Sequence, residues 1–258
     1  MIQSLQDATF TQLTSIGHAF FTRKGGVSED YYHSLNCSVV CSDKPEHVIE
    51  NRQRAMAHLN LQRHALTTVK NVHGNEVIVV DNSAVDYQTI RADAMVTQDK
   101  TIVLASDSAD CPIVLLADEQ AEIIGLVHAG WRGAKLGVIE NTIKKMIDLG
   151  AQPTNMSAVV SPCITQDSYE VAADYQQRFL ADTSDNKQYF KLSHNPGHFM
   201  FDLLGFVKDK LQHLQLKSVT SMGLDTYAND DLFFSCRRAT HQGAPYFGGQ
   251  LSSIYFRP

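Results

Sequence analysis

Three residues of this sequence combine a metal-ligating side chain with a position at the end of a predicted strand. They are His73, Cys111 and His128. A thiol and two imidazoles can together bind a metal such as zinc, whose sites commonly contain cysteine and histidine. A thiol beside an imidazole can also act as a nucleophile with its general base. The residue types alone leave both chemistries open.

The stretch 109–133 shows how two of these residues would meet. It reads ADCPIVLLADEQAEIIGLVHAGWRG, in which the apolar runs 112–117 and 123–127 flank an acidic turn. Short apolar runs around a polar turn predict neighbouring strands of a buried hairpin. Because a hairpin places the start of its first strand beside the end of its second, Cys111 and His128 should lie at the same edge.

The long intervals between the three residues favour a catalytic metal site over a structural one. Structural zinc ligands usually come in close pairs, whereas a site assembled from several strand ends leaves one position on the metal for water or substrate. Cys37 and Cys41 have a CxxxC spacing, but no second cysteine pair follows them. A structural zinc is therefore not expected at that pair.

Two further features could bind an anion or move a proton. Arg23 is followed by the paired glycines Gly25 and Gly26. Such a loop either forms a tight hairpin turn, which the segment alone favours, or offers backbone N–H groups and a guanidinium to an anion. Asp110, beside Cys111, could act as an acid or base, or it could orient a metal ligand.

The composition argues against several classes of function. A formal net charge of -6 without any basic block does not favour nucleic-acid binding. No apolar run approaches the roughly 18 residues that a membrane span needs, and the N-terminal residues lack the features of a signal peptide. Five scattered cysteines, an odd number, indicate reduced thiols. We therefore expect a cytoplasmic protein.

The order of helix and strand patterns predicts one domain over residues 1–258, since no repeat or linker divides the chain. The first helix should begin with Asp43 as N-cap and Glu46 completing a capping box. Helical periodicity predicts helices at 43–59, 134–149, 169–180 and 202–214. Strands are predicted at 18–22, 67–70, 76–81, 101–106, 112–117, 123–127, 156–162 and 219–224, with a polar loop at 183–188.

Motifs along nearly the whole chain resemble the signature blocks of the YfiH family, also described as the laccase-like (multicopper polyphenol oxidase) domain or the peptidoglycan editing factor family. These motifs are FTRKGGVS, SLNCSV, ENR, NVHG, RADAMVT, ADC before an apolar strand, HAGWRG and FFSCRR. The combination of ADC and HAGWRG at this distance is highly specific. The resemblance implies an α+β fold, a single domain of mixed β-sheets flanked by helices in a layered sandwich.

The resemblance also implies a function. Family members carry a metal, usually zinc, on positions that match His73, Cys111 and His128, and copper is a second candidate. They are purine nucleoside enzymes that phosphorolyse adenosine, inosine, guanosine and methylthioadenosine and that deaminate adenosine. The implied partners are a small-molecule nucleoside and phosphate, with no nucleic acid and no membrane. A zinc-bound water is a nucleophile suited to deamination.

Phosphorolysis needs an anion site, and two places in the sequence could supply it. Arg23 with Gly25 and Gly26 is the first candidate for a phosphate cradle, and Arg132 of HAGWRG is the second. The resemblance therefore raises the functional interpretation of the glycine-rich loop above the structural one. Asp110 is the candidate for handling a proton.

Two other activities are alternatives. The implied fold resembles that of bacterial toxin deamidases with a Cys–His pair, which suggests a hydrolase in peptidoglycan precursor editing with Cys111 as nucleophile and His128 as base. A thiolate committed to zinc is not free to attack carbon, so this alternative competes with the metal site. Multicopper oxidation fits poorly, because none of the 11 histidines forms an HxH pair.

Two positions depart from the family pattern. Cys163 follows Ser161-Pro162 where the family has a glycine-containing turn, and Cys236 replaces the tyrosine of an FSYR motif. The small-residue and arginine motif that usually follows is not recognisable in the sequence THQG at 240–243. These departures bear on substrate preference more than on metal binding. For Cys163, a buried small apolar side chain is the favoured interpretation.

Overall fold

The β-strands of this protein form three sheets in the computed structural model, which describes residues 1–258. The strands are β1 (Ser4–Leu5), β2 (Ile16–Phe21), β3 (Ala65–Thr67), β4 (Val77–Val79), β5 (Ala94–Thr97), β6 (Ile102–Ser108), β7 (Ile113–Asp118), β8 (Ile123–His128), β9 (Ser157–Val160), β10 (Glu170–Ala172), β11 (Phe190–Leu192), β12 (His198–Phe201), β13 (Ser218–Ser221) and β14 (Gln250–Phe256). The α-helices are α1 (Pro45–His58), α2 (Trp131–Lys135), α3 (Val138–Asp148), α4 (Ala173–Leu180), α5 (Leu203–His213) and α6 (Cys236–His241). Short 3-10 helices lie at Phe10–Gln12, Asp30–Tyr32, Pro153–Asn155, Gln166–Ser168 and Ser184–Tyr189.

The two larger sheets combine strands that are distant in the sequence, whereas the smallest sheet joins three consecutive strands. The strand orders are β13-β9-β7-β8-β5-β4, β1-β2-β14-β6-β3 and β10-β12-β11. The two larger sheets are mixed, because β13/β9, β4/β5 and β3/β6 are parallel pairs whereas their other neighbours are antiparallel. The predicted α+β fold with mixed sheets and flanking helices is confirmed.

The side chains of β7 show how the layers are arranged. Val114 and Leu116 pack with Ile139 and Phe206 of the helices α3 and α5, on one face of the six-stranded sheet. Their neighbours in the sequence point to the other face, where Leu115 packs with residues of the five-stranded sheet such as Phe20, Leu104 and Ile254. Since both faces of β7 are buried, its sequence is a continuous apolar run. The α1 helix packs against the outer face of the five-stranded sheet through Ala55.

The predicted hairpin is confirmed as the pair β7 and β8. Ile113 pairs with His128 across the two strands, and Asp118 pairs with Ile123 beside the turn. Cys111 stands just before β7, so it lies at the same edge as His128. The hairpin therefore fixes the relative position of two of the three candidate ligands. No helix has both the length and the apolar character needed to cross a membrane.

Two predicted helix features are wrong. The helix expected over 134–149 is two helices, α2 and α3, because Gly137 between them adopts a left-handed conformation with φ of 88°. The expected cap at Asp43 is also absent, since Lys44 is the N-cap and makes no side-chain capping bond. Asp43 instead accepts hydrogen bonds from Ser28 and Asn36, which join the preceding loops.

The region between 166 and 201 differs most from the sequence prediction. The helix expected over 169–180 begins only at Ala173, and the residues before it form β10. The expected polar loop at 183–188 is a 3-10 helix, and the strands β11 and β12 were not predicted. These three-residue and four-residue strands are too short to give a clear period-two pattern, so only their pairing in space defines them.

Candidate metal centre

The structure brings the three predicted ligand residues to one point. Their ligand atoms all lie within 4.8 Å of one another, and the Cys111 Sγ is 4.0 Å from the His73 Nε2. His73 reaches this point from the loop between β3 and β4, where it adopts a φ of 58°. Cys111 and His128 reach it from the two strands of the hairpin. Residues distant in the sequence thus form one compact cluster of ligands.

Asp93 orients two of the three ligands. Its carboxylate accepts hydrogen bonds from the backbone N–H groups of Val72, His73 and Gly74, which hold the His73 loop in place. The His128 Nδ1 lies 2.9 Å from the Asp93 Oδ1, so this ring nitrogen donates its hydrogen and leaves Nε2 facing the cluster. Asp93 is buried. Such a carboxylate–histidine pair is typical of metal-ligating histidines.

Asp93 is a functional residue that the sequence reasoning missed. It belongs to the RADAMVT motif, which supported the family resemblance without assigning a role to its aspartate. The sequence feature that could have identified Asp93 is its position directly before the buried strand β5. A buried carboxylate requires hydrogen-bond donors, and here those donors are the ligands and their loop.

Two glycines of the HAGWRG motif allow the close packing of the cluster. A Cβ on Gly130 would lie 3.0 Å from the His73 Cδ2 and 3.1 Å from the Cys111 Sγ. A Cβ on Gly133 would lie 2.6 Å from the backbone oxygen of Gly74, in the His73 loop. The absence of side chains at these positions therefore lets the start of α2 lie directly against the ligands.

The electrostatics of the cluster favour a thiolate beside an imidazolium. Burial would raise the pKa of Cys111, but the charge of His128 and hydrogen bonds from both histidines outweigh it and lower that pKa. Burial would likewise lower the pKa of His128, but the charge of Cys111 and the hydrogen bond to Asp93 raise it. The thiolate is the form of cysteine that both binds metals and acts as a nucleophile.

The donor set fits a zinc ion. Zinc accepts thiolate and neutral imidazole ligands, and its bond lengths of about 2.0–2.3 Å in a tetrahedral centre place ligand atoms roughly 3.5 Å apart. The cluster atoms, within 4.8 Å of one another, approach this spacing. Three protein ligands leave the fourth position of such a centre for a substrate or water. The structure contains one cluster of this kind, whereas multicopper chemistry requires several metal ions.

Two cavities meet at the cluster and differ in most of their lining residues. The first, of about 440 Å³, is lined by Tyr32, Asp107, Tyr246 and Phe247 among others, and we call it the tyrosine pocket. The second, of about 350 Å³, is lined by Asp110, Trp131, Tyr169, Arg237 and Thr240 among others, and we call it the arginine pocket. Both pockets share the residues His73, Ala109, Cys111 and Cys236.

Asp110 lines the arginine pocket, but its oxygens are already engaged. The hydroxyls of Thr226 and Ser235 and the backbone N–H of Arg237 donate to this carboxylate. Burial raises its pKa, although these three hydrogen bonds oppose the shift. Asp110 therefore joins the segment before Cys111 to the C-terminal part of the chain.

The structure does not bring the predicted phosphate-binding residues to either pocket. Arg23 donates from Nε to the backbone oxygen of His33 and from Nη1 to that of Asp230. A Cβ on Gly25 would lie 2.5 Å from the backbone nitrogen of Ile2, and one on Gly26 would lie 2.1 Å from the backbone oxygen of Ser34. The paired glycines thus permit close backbone packing. Arg132 is exposed on α2 and lines neither pocket.

The two unusual cysteines lie in different environments. Cys236 lines both pockets, as does the ligand residue Cys111. Cys163 is buried, and burial raises the pKa of its thiol. Cys163 thus behaves as a small apolar side chain, in agreement with the sequence interpretation.

Comparison with known proteins places the chain in a family. The family model described as multi-copper polyphenol oxidoreductase laccase matches residues 17–257. This match covers nearly all of the chain, and the protein belongs to this laccase-like YfiH family. The expected family assignment is therefore confirmed.

Curated relatives and solved structures agree with this assignment. A protein of Rickettsia conorii named purine nucleoside phosphorylase is 34% identical over 243 residues, which cover 94% of this chain and 97% of the relative. The purine nucleoside phosphorylase YfiH of Escherichia coli is 32% identical over 217 residues, covering 84% and 86%. A Neisseria meningitidis protein of known structure has a TM-score of 0.83 at 28% identity and covers 100% of this chain and 99% of its own. The fold of YlmD from Geobacillus stearothermophilus is also similar, with a TM-score of 0.85 at 22% identity and 100% coverage of both chains.

Proposed function

We propose that this protein is a zinc-dependent purine nucleoside phosphorylase that acts on adenosine, inosine, guanosine and methylthioadenosine. The observation that carries the proposal is the cluster of His73, Cys111 and His128 at the junction of two pockets. The junction matters because phosphorolysis brings two substrates, a nucleoside and phosphate, to one reacting carbon. The names of the full-length relatives supply the substrate class.

His73, Cys111 and His128 would hold the metal. A zinc ion bound there supplies Lewis acidity, which polarises an atom of a bound substrate. Asp93 keeps the His128 ring in the tautomer that presents Nε2, and it fixes the His73 loop through three backbone hydrogen bonds. For Asp110, the three hydrogen bonds to its carboxylate support a positioning role more than the proton transfer that the sequence suggested.

The side chains around the junction would also displace water when a substrate binds. Trp131 and Tyr169 form one apolar wall, and Tyr246 and Phe247 form another on the opposite pocket. A purine base is flat and apolar on its faces, so aromatic side chains offer it favourable stacking contacts. Exclusion of water strengthens every electrostatic contact with the substrates and suppresses hydrolysis of the nucleoside.

The first experiment measures metal content and products together. Protein purified without added metal is analysed for zinc and copper and is then incubated with adenosine, with and without inorganic phosphate. We expect about one zinc per chain, with adenine and ribose 1-phosphate formed only when phosphate is present. We also propose that the protein deaminates adenosine, and inosine formed without phosphate would establish this second activity. Metal-free protein with full phosphorolysis would contradict the metal-dependent mechanism, and copper in place of zinc would correct the cofactor.

A second candidate function is cysteine hydrolysis in peptidoglycan precursor editing. The observation that favours it is the chain of contacts from Asp93 to His128 to Cys111, which matches the orienting acid, base and nucleophile of a cysteine hydrolase. Alkylation by iodoacetamide separates the two candidates. The phosphorylase proposal expects that bound metal protects Cys111 and that chelation exposes it. Rapid alkylation of Cys111 in protein as purified, with a purified metal content near zero, would favour the hydrolase.

A further inference from the structure

The two pockets differ in charge where they leave the ligand cluster. No lysine or arginine lines the tyrosine pocket, whose one carboxylate belongs to Asp107. Arg52 lies behind Asp107, with its Nη2 3.7 Å from the Asp107 Oδ1, so its charge is paired with that carboxylate. Each pocket thus has one carboxylate, Asp107 here and Asp110 in the arginine pocket, but a phosphate dianion would meet no free cation in the tyrosine pocket.

The arginine pocket offers the missing cation. Arg237 is the one arginine or lysine on its wall, and the guanidinium donates from Nη1 to the backbone oxygen of Glu170. Its carbon Cζ lies 4.9 Å from the centre of the Tyr169 ring. The Nε and Nη2 groups have no acceptor within the protein. A half-buried guanidinium with free donors, held against an aromatic ring, is well suited to bind a phosphate in a bidentate manner.

The backbone of Arg237 is tied to the reaction site as well. Its N–H donates to Asp110, the residue directly before the ligand Cys111. The backbone of Arg237 is therefore held beside the ligand cluster, while the bond to Glu170 and the Tyr169 ring hold its guanidinium. A side chain fixed in this way loses little further freedom when a substrate binds.

We propose that the arginine pocket is the phosphate subsite, that Arg237 binds the phosphate, and that the tyrosine pocket takes the purine base. This inference rests on the proposed phosphorolysis. In a displacement at the ribose C1′, the attacking and leaving groups lie on opposite sides of the sugar. Two pockets that meet at one cluster but are otherwise lined by different residues can receive the two groups separately.

The reaction balances with these two substrates alone. An oxygen of hydrogen phosphate forms a bond to C1′ while the bond from C1′ to the purine N9 breaks. The electron pair of the broken bond goes to the base, and the hydrogen lost by hydrogen phosphate is the one that the base takes up. The products are ribose 1-phosphate and the free purine, so no oxidant or further reactant is needed.

The guanidinium groups of two other arginines near the site donate hydrogen bonds to backbone oxygens. Arg238, next in sequence, donates to the backbone oxygens of Thr226, Tyr227 and Phe233. Arg23 donates to two backbone oxygens and its Cζ lies 4.4 Å from the centre of the Phe234 ring. Arg237 therefore differs from Arg23 and Arg238 in lining a pocket on the ligand cluster, and its guanidinium makes only one hydrogen bond within the protein.

Steady-state kinetics test the proposal. Arg237→Gln should raise the KM for phosphate by at least about tenfold, the range lost with a charge-assisted hydrogen bond, while the KM for inosine changes less than about twofold. Tyr246→Ala should give the opposite pattern, a higher KM for inosine at an unchanged KM for phosphate. Arg178→Gln, on the exposed surface of α4, serves as the control. A rise in phosphate KM with Arg23→Gln or Arg132→Gln, and none with Arg237→Gln, would overturn the proposal.

A chemical measurement on the unaltered protein covers the case in which Arg237→Gln does not fold. Phenylglyoxal modifies accessible arginines, and mass spectrometry locates the modified residues. Inorganic phosphate should protect Arg237 while Arg63, which is exposed, reacts equally with and without it. Equal modification of Arg237 with and without phosphate would refute the subsite. This measurement does not depend on turnover. Protection by phosphate without any phosphorolysis would contradict the proposed function but would support the phosphate subsite.

Discussion

Two regions of the molecule carry family motifs with histidine and arginine, and they use these side chains in different ways. The first is the ligand cluster of His73, Cys111 and His128 with Asp93. The second is the strand β2 with the loop after it, residues 16–27, which contains His18 and the glycine-rich motif. In the first region the ligand residues line pockets, whereas in the second His18 and Arg23 lie outside both pockets and make hydrogen bonds to the protein backbone.

The pKa shifts of the two buried histidines, His18 and His128, show the difference between the regions. His18 lies between the rings of Phe10 and Phe20, and its Nε2 accepts a hydrogen bond from the backbone N–H of Asp7. Burial lowers its pKa to about 4, which keeps the ring neutral. His128 is equally buried, but a thiolate and a carboxylate in contact with it raise its pKa. Burial alone thus does not identify a functional histidine; the charge of its partners does.

The largest expected effect falls on the cluster. Cys111→Ala and His128→Ala should each abolish metal binding and reduce phosphorolysis by more than about 100-fold, because loss of an outer partner alone already costs about 10- to 100-fold. Metal analysis and initial rates with inosine and phosphate measure the effect. Cys37→Ala, a buried cysteine in the core beside β2, should retain the metal. A Cys111→Ala protein that kept both metal and turnover would remove the distinction between the two regions.

The next effect is a pH dependence of stability that originates in the β2 region. The folded pKa of His18, about 4, lies below the ordinary value of 6.5. Between these values the unfolded chain binds the proton and the folded chain does not, so stability falls as the pH falls from 6.5 to 4. The loss should reach about 3 kcal/mol. Urea unfolding across this range measures it.

His18→Gln isolates this contribution, because its amide oxygen can still accept the Asp7 hydrogen bond but does not titrate. The variant should have a shallower dependence of unfolding free energy on pH than the unaltered protein. Equal slopes for His18→Gln and the unaltered protein would show that His18 is not held neutral by the fold.

Asp93→Asn tests whether the Asp93 carboxylate orients the ligand residues of the cluster. The amide keeps the shape of the carboxylate but has one acceptor oxygen where the carboxylate has two, so it cannot serve both His128 and the three backbone N–H groups. Metal affinity should fall about 10- to 100-fold with the three ligands still present. Competition with a chromogenic chelator measures the affinity. Unchanged affinity would mean that Asp93 does not orient the ligands.

The smallest effect should come from Gly25→Ala in the glycine-rich loop. Gly25 has a φ of 93°, and an added Cβ would lie 2.5 Å from the backbone of Ile2. Gly197→Ala is the matched control, since Gly197 also has a positive φ, of 77°, but nothing within 4 Å of an added Cβ. Gly25→Ala should cost about 1–3 kcal/mol more than the control in urea unfolding. A raised KM for phosphate without loss of stability would instead support the phosphate cradle expected from the sequence.

The sequence predicted those features that local patterns encode. The hairpin of β7 and β8 followed from two apolar runs around a polar turn, and it placed Cys111 and His128 at one edge. Most long strands and helices were predicted for the same reason. The split between α2 and α3 was missed because the apolar periodicity continues across Gly137, and periodicity does not reveal a left-handed glycine.

Features that depend on distant parts of the chain required the tertiary structure. Strand β14 lies between β2 and β6. The three-stranded sheet joins β10, β11 and β12, and no local sequence pattern predicts these pairings. The phosphate-binding assignment illustrates the same limit. Arg23 and Arg237 both occur in family motifs, and only the structure shows that Arg237 lines a pocket on the ligand cluster, whereas Arg23 lines neither pocket and donates to two backbone oxygens.

The sequence by itself determined which chemical groups this protein has available and which of them lie at strand ends. It identified the thiol and two imidazoles, since their types and the strand pattern are local properties. Only the tertiary structure decided how those groups are oriented, because the Asp93 carboxylate, the Gly130 backbone and the two pockets come from separate segments of the chain. The reactivity of a side chain depends on its hydrogen-bond and charge partners and on its access to substrate, and tertiary packing determines both.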